Sequence, residues 1–493
     1  MNSKIKPAHT VRRAVALSLL IAGLAAPQAR AQTAEEIQQL KDAVKQMQGT
    51  IDALNKKIED LEKARTAAPV PAQSALEKSS PSVQTLEKVA AGGQIGQQSP
   101  VTYRDTLNDQ QEAASRPKDF TLDPTYRGFI PVPNTPMLIK FNAKPHLDMI
   151  VDNRNAGNEN RFVPAQFPLQ GSPTFGGGEQ FHMTANATQL KLDVRAPESD
   201  GNFRFYYQND FFGSGSETGD MKYRVQHLYG QFYGVKAGFT YGVWEDPDSW
   251  PDTVDYEGPN AVIFARRPVA QYTHPWDDHW NTTFGVEKPD IFVDLTSGPN
   301  PGITTLTRIP DLGFNTRYEQ AGFGHAQFST IFRDIGAKDG LGRDHHVFGW
   351  GVNLSLGLDV TENDTLQLLG VYGEGVGGMG NDTSFLNSDA AFEANGELKA
   401  MRYWSGSAGF THRWSEEFRS TVTYGYVNLD NTSGQVGTFY HFSHYASANL
   451  IWQMRKRLSV GLEGLYGFQE AKNHVDSGDH WRLQLGMVYS LFD

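Results

Sequence analysis

The chain has 493 residues, with 44 Lys and Arg against 56 Asp and Glu, a formal net charge of −12 and no cysteine. The absent thiols exclude disulfide staples and thiol chemistry, and the acidic balance argues against a nucleic-acid partner. Glycine is abundant at 49 residues and 12% of the chain is aromatic, which suits many turns and interfacial rings better than a helical enzyme.

At the N-terminus, Lys4, Lys6, Arg12 and Arg13 precede an apolar run over 14–26, and Ala29-Arg30-Ala31 supplies a small-residue cleavage site. Residues 1–31 therefore read as a secretory signal peptide whose apolar part is too short to span a bilayer. The Arg12-Arg13 pair lacks the rest of a twin-arginine motif. Cleavage would leave 39 basic against 56 acidic residues. No later apolar run is long enough for a membrane helix, and the mean hydropathy is −0.48. A β-barrel fits both facts, because its polar inner face dilutes hydropathy.

Over 34–65, Ile37, Val44, Ile51 and Ile58 fall at one heptad position while Leu40, Met47, Leu54 and Leu61 fall at the other. This unbroken seam predicts a coiled coil, and Ile paired with Leu leans toward dimers. Residues 66–125 are rich in Ala, Pro, Ser, Gln and Gly and read as a linker.

From 126 to 493 the pattern changes to alternation. Strands are expected at about 138–151, 186–196, 202–212, 222–232, 235–244, 262–273, 279–288 and 311–320. They continue at about 324–334, 347–358, 364–375, 400–414, 417–428, 440–454, 457–468 and 480–492. Short turns at 199–201, 233–234, 276–278, 322–324, 361–363, 415–417 and 455–457 alternate with long loops rich in Gly, Asp and Asn. That sorting, over an even strand number, predicts an all-β, 16-stranded antiparallel transmembrane barrel carrying an N-terminal helical extension. The third long loop, VWEDPDSWPDTVDYEGPNAV, is punctuated by proline and predicts a compact fold. Its acids Asp252, Asp255 and Glu257 are candidates for a constriction.

Strand parity sorts the faces. Phe348, Trp350, Val352, Leu354, Leu356 and Leu358 are expected toward lipid, with Gly349, Gly351, Asn353, Ser355 and Gly357 inside. In the last strand Trp481, Leu483, Leu485, Met487, Tyr489 and Leu491 alternate with Arg482, Gln484, Gly486 and Ser490. Trp404, Trp414, Tyr424 and Tyr426 suit interfacial girdles. The polar second face predicts an aqueous interior. Parity also places Lys140, Lys144, Lys191, Arg195, Arg204, Arg224, Lys236, Arg317, Arg333, Arg413, Arg419 and Arg482 inward. Fewer acids join them: Asp148, Asp193, Asp210, Glu287, Glu319, Glu374 and Glu463. The excess of bases predicts an anion-favouring wall, with Lys144, Lys191, Arg204 and Arg224 as one patch near the constriction.

Signals for catalysis are weak. Residues 373–378 match a GxGxxG spacing, but no helix follows to hold a phosphate. Asp344, His345 and His346, and His274, Asp277, Asp278 and His279, lack tetrahedral ligand spacing, so neither a metal nor another cofactor is expected. No GxSxG or HExxH occurs, and an enzyme is not expected.

Several long stretches resemble the DcaP-like trimeric outer-membrane porins: GFIPVPNTPMLIKFNAKPHLDMIVD (128–152), FRFYYQNDFFG (203–213), KYRVQHLYGQF (222–232), SWPDTVDYEGP (249–259), ARRPVAQYTHP (265–275) and GLYGFQEAKNHVDSGDHWRLQLGMVYSLF (464–492). The resemblance implies a sixteen-stranded homotrimer in the outer-membrane lipid, with its coiled coil in the periplasm, where it could contact peptidoglycan. It also implies passive transport of dicarboxylates and other small organic anions, with Lys140, Lys144, Arg195, Arg204 and Arg224 lining the pore. Gln189 and Gln226 depart from it, standing where arginines are expected, and the chain ends Phe492-Asp493 rather than on an aromatic residue. A phosphate or sugar channel is the alternative, the sugar reading needing an aromatic ladder for which Tyr206 and Trp244 are the inward candidates. A non-conducting anchor or adhesin is another.

Overall fold

The computed structural model describes residues 126–197, 202–213, 221–384 and 386–491. The expected signal peptide, coiled coil and linker, and Phe492-Asp493, lie outside the described residues. Leu138–Lys144 pairs antiparallel with Gln189–Ala196. The ladder then runs through Phe203–Asp210, Arg224–Phe232, Val235–Tyr241, Arg266–Pro275, Trp280–Glu287 and Asp311–Gln320. It continues through Gly324–Lys338, Asp344–Asp359, Asp364–Glu374, Arg402–Arg413, Phe418–Leu429, Tyr440–Arg455, Leu458–Ala471 and Ser477–Tyr489. Ser477–Tyr489 then pairs with His146–Asp152. The sheet closes into a β-barrel, which satisfies the backbone of every strand without water.

The outer face is apolar. Phe348 is 62% exposed and Leu354 53%, while Asn353 and Ser355 on either side of Leu354 are fully buried. Trp481 and Leu483 likewise point out and Arg482 and Gln484 in. This inverts the arrangement of a soluble protein, as lipid requires. Tyr489 and Leu491 keep the outer face at the chain end.

Several boundaries differ from expectation. The first strand is broken at Pro145, which has no N–H to give the ladder. Gln180–Thr184 adds to the same hairpin. The strand expected from 262 starts at Arg266, because Ala261, Val262 and Ile263 are buried inside the barrel as part of the third loop. The loops expected at 335–346 and 469–479 are largely strand, leaving turns at 339–343 and 472–476. Glu374 is corrected to the outer face: it pairs with Arg402 at the strand end, on the side of Tyr372 rather than Gly373.

Inside the barrel lies a core of soluble-protein type. Val163 and Ala165 from the first long loop meet Trp244, Ala261 and Ile263 from the third. Val376, Met379 and Ala391 from the 375–401 loop join them, and so do the inward wall residues Ile331, Leu369, Val371 and Val427. Gly351 makes room for it. A Cβ there would lie 2.7 Å from the Trp244 ring and 3.1 Å from Val376.

Candidate functional site

The third loop, 242–265, runs along the inner wall, and successive strands hold its backbone. Asn315 donates to the Val243 carbonyl at 2.8 Å, Asn353 to the Trp244 carbonyl at 2.9 Å and Gln327 to the Glu245 carbonyl at 3.2 Å. Further on, Asn449 donates to the Asp252 carbonyl at 2.8 Å and Ser405 to the Ala261 carbonyl at 2.8 Å. Glu463 accepts the N–H groups of Val254 and Asp255 at 2.7 and 2.6 Å. The expectation that a polar inner face means water is therefore corrected over these strands. Buried backbone groups must be paired, and these small polar side chains pair the loop.

The loop acids also answer the wall bases. Arg317 bonds Asp246 at 3.0 Å and Asp248 at 2.8 Å, and His325 bonds Asp246 at 2.9 Å. Burial works to raise the Asp246 carboxyl, but His325 and Arg317 outweigh it and hold it well below the usual carboxylate range. Arg419 lies 2.6 Å from Asp252. Asp255 reaches Arg482 only at 4.0 Å. Burial pushes its carboxyl well above the usual range, with Glu463 and Glu257 adding to what Arg482 opposes.

The remaining expected bases are placed as follows. Arg195 and Arg204 stand directly opposite across the ladder and share Asp193 at 2.9 and 2.8 Å. Arg224 forks onto Asp210, its Nε at 2.8 Å. Arg333 lies 3.0 Å from both Asp311 and Asp389. Lys236 sits over the Tyr229 ring, and Lys140 over Phe129. Lys144 and Lys191 are buried and inward. The structure does not join Lys144, Lys191, Arg204 and Arg224 into one free patch, since both arginines are bound to wall carboxylates. The expected excess of bases is met by acids from the third loop.

Space remains on the opposite side, beside the strands from Leu138–Lys144 to Val235–Tyr241. One cavity is lined by Lys144, His146, the amides Gln189, Gln208 and Gln226, and loop residues Trp250, Asp255, Tyr256 and Glu257. A second, lined by Arg161, Arg224, Arg266, Arg267, Glu257 and Asp290, shares Glu257, Phe264 and Arg266 with the first. Tyr256 marks the boundary. Its hydroxyl donates to Asp210 at 2.9 Å, it also bonds Gln226, and its ring stacks on Phe212 at 4.8 Å. Of the three loop acids singled out in sequence, Asp255 and Glu257 line the first cavity, whereas Asp252 is held on the far wall by Arg419. Glu257 pairs with Arg161 at 3.4 Å.

Sequence reasoning missed Arg161, Arg266 and Arg267. Arg267 is fully buried between Glu245 at 2.9 Å and Glu287 at 3.1 Å. The aromatic candidates also shift. Trp244 is fully buried in the core, Tyr206 lies under Arg204, and Tyr241, Trp250, Tyr256 and Phe264 line the first cavity instead. His345 bonds Asp339 and His346 bonds Asp334. Among the described residues no group of His, Asp and Glu is arranged to hold a metal.

A family model described as DcaP outer membrane protein matches residues 104–490. The crystal structure of the outer membrane channel DcaP of Acinetobacter baumannii is similar in fold, with a TM-score of 0.61 and 20% identity over 72% of this chain and 97% of that one. The anion-selective porin from Comamonas acidovorans aligns with a TM-score of 0.46 and 11% identity, over 72% of this chain and 100% of that one. No curated protein matches the chain.

Proposed function

Because the chain belongs to the DcaP outer membrane protein family, we propose that its barrel is a passive channel for small organic anions. The substrates on this reading are dicarboxylates or aromatic carboxylates, entering through the passage beside Gln189, Gln208 and Gln226. The observation that carries the reading is the charge of that passage. Its two cavities are lined by the basic residues Lys144, Arg161, Arg224, Arg266 and Arg267 and the acids Asp255, Glu257 and Asp290. Arg161, Arg224 and Arg267 are paired with carboxylates, while Arg266 brings its charge to both cavities with its side-chain hydrogen bond going to the Tyr241 hydroxyl. Asp255 is moreover disfavoured as a carboxylate. A narrow, low-dielectric passage focuses the charge of Arg266 and Lys144 and favours anions without binding them tightly.

On this reading the barrel is sixteen-stranded, which the ladders among the described residues support when the split first strand is taken as one. The same reading includes a homotrimer, a cleaved signal over 1–31, a periplasmic coiled coil over 34–65 and a linker over 66–125. These rest on the sequence patterns and the family. A second reading, a non-conducting anchor, is favoured by the packed core inside the barrel. Planar-bilayer recording separates the two: a channel gives stepwise openings with an anion-preferring reversal potential in a salt gradient, and an anchor gives none.

A further inference from the structure

We infer that Arg266 and Trp250 form a carboxylate subsite at the junction of the two cavities, selective for a carboxylate carried on a flat, unsaturated body. This rests on the reading of the barrel as an anion channel and names the group that does the selecting.

Nine arginines around this lumen are bound to acids: Arg161, Arg195, Arg204, Arg224, Arg267, Arg317, Arg333, Arg419 and Arg482 each have a carboxylate within 4.0 Å. Arg266 is different. It lines both cavities, and its one hydrogen bond to a side chain goes from a terminal nitrogen to the Tyr241 hydroxyl at 2.9 Å. Its Nε–H is buried without an acceptor, and so is the indole N–H of Trp250, which lines the same cavity. A buried donor without a partner is unfavourable, so two of them beside one cavity mark a place for an acceptor. A carboxylate has two acceptor oxygens and takes charge-assisted bonds best from a guanidinium.

The surroundings select the body that carries it. The guanidinium lies 4.5 Å from the Phe264 ring centroid and 4.9 Å from that of Tyr241. Trp250 packs against both rings, at 5.4 and 5.7 Å. These rings orient Arg266 and offer aromatic faces and edges to a planar group, for which stacking adds to the charge pair. A flexible alkyl chain gains less there and loses more freedom.

The test uses the full chain in planar bilayers with benzoate and butyrate as blockers of equal charge. Benzoate should interrupt the wild-type current at lower concentration than butyrate. Arg266→Gln should weaken benzoate block by about ten- to hundredfold, the range for one charged hydrogen bond, and shift the reversal potential toward cations. Trp250→Phe keeps an aromatic ring and removes the donor, so it should weaken benzoate block with little change in reversal potential. Arg266→Lys should retain the reversal potential and lose the preference for benzoate. Heat-modifiable migration of each variant checks that the barrel forms. Equal block by benzoate and butyrate, or benzoate block unchanged in Arg266→Gln, overturns the subsite while leaving an anion-preferring wild-type pore intact. A wild-type pore without anion preference overturns the channel reading and the subsite with it.

Discussion

The Arg419 guanidinium lies 2.6 Å from a carboxylate oxygen of Asp252, 167 residues away in the chain. Both side chains are buried, and the pair fastens the middle of the third loop to the wall opposite the passage. Arg419→Gln would leave the Asp252 charge buried without its cation, a loss of about 3–5 kcal/mol in comparable pairs. The loop should then detach intermittently, and single-channel records should show added open-state noise and larger sublevels. A quiet record of wild-type amplitude would show that the ion pair does not hold the loop.

Asp382 couples the loops to each other. It accepts the Ala165 N–H at 2.9 Å, the Ser443 hydroxyl at 2.5 Å and the Tyr440 hydroxyl at 3.2 Å. Burial pushes its carboxyl up to about 6, with those bonds partly opposing. A raised folded value means that the stabilising form is the protonated one. The contribution is complete below the unfolded value near 3.9 and is lost as pH rises through about 6. Protease cleavage in the 375–401 loop should therefore increase from pH 5 to pH 7.5, and Asp382→Asn should flatten that rise. Cleavage that falls over this interval would contradict the assignment.

The Trp244 core sets a steric limit on the wall. Gly351→Val would drive a branched side chain into the Trp244 ring and Val376, and overpacking of this kind costs about 1–3 kcal/mol. The heat-modification temperature of the barrel should fall. Gly464→Ala is the matched change, since a Cβ there meets nothing within 4 Å, and it should leave that temperature unchanged.

The proposed coiled coil gives a separate expectation. Replacing Ile51 and Leu54 by Asp places charge in the apolar seam and should abolish helical assembly of residues 34–65. On the homotrimer reading, an oligomer should still be recovered after mild extraction, held by barrel contacts. Its complete loss would move the main interface to the N-terminal segment.

Much of the barrel was legible because alternation is a strict rule: from Phe348 to Leu358, parity alone sorts side chains between lipid and interior. What parity does not show is what fills the interior. Asn353 and Ser355 read as water-facing residues, yet they bond the loop backbone and a loop acid, because the same small polar groups serve either partner. The pairing of Arg317 and Arg419 did leave a trace. Wall bases outnumbered wall acids, buried charges require counter-charges, and Asp246, Asp248 and Asp252 lay in the nearest acidic loop. Arg266 left none. It follows three loop residues with strand-like composition, and nothing in the sequence shows that Arg267 is held between Glu245 and Glu287 while Arg266 bonds Tyr241.

The central claim is that solute passes on the Gln189 side of the barrel while the Asn353 side is sealed by folded loops. The chain has no cysteine, so single cysteines can be introduced without background and tested with a negatively charged methanethiosulfonate during bilayer recording. Gln189→Cys, at a position lining the first cavity, should be modified with a lasting fall in conductance, while Asn353→Cys, at a position packed against the Trp244 carbonyl and lining neither cavity, should not respond. Rapid block at position 353 with none at 189 would contradict the account.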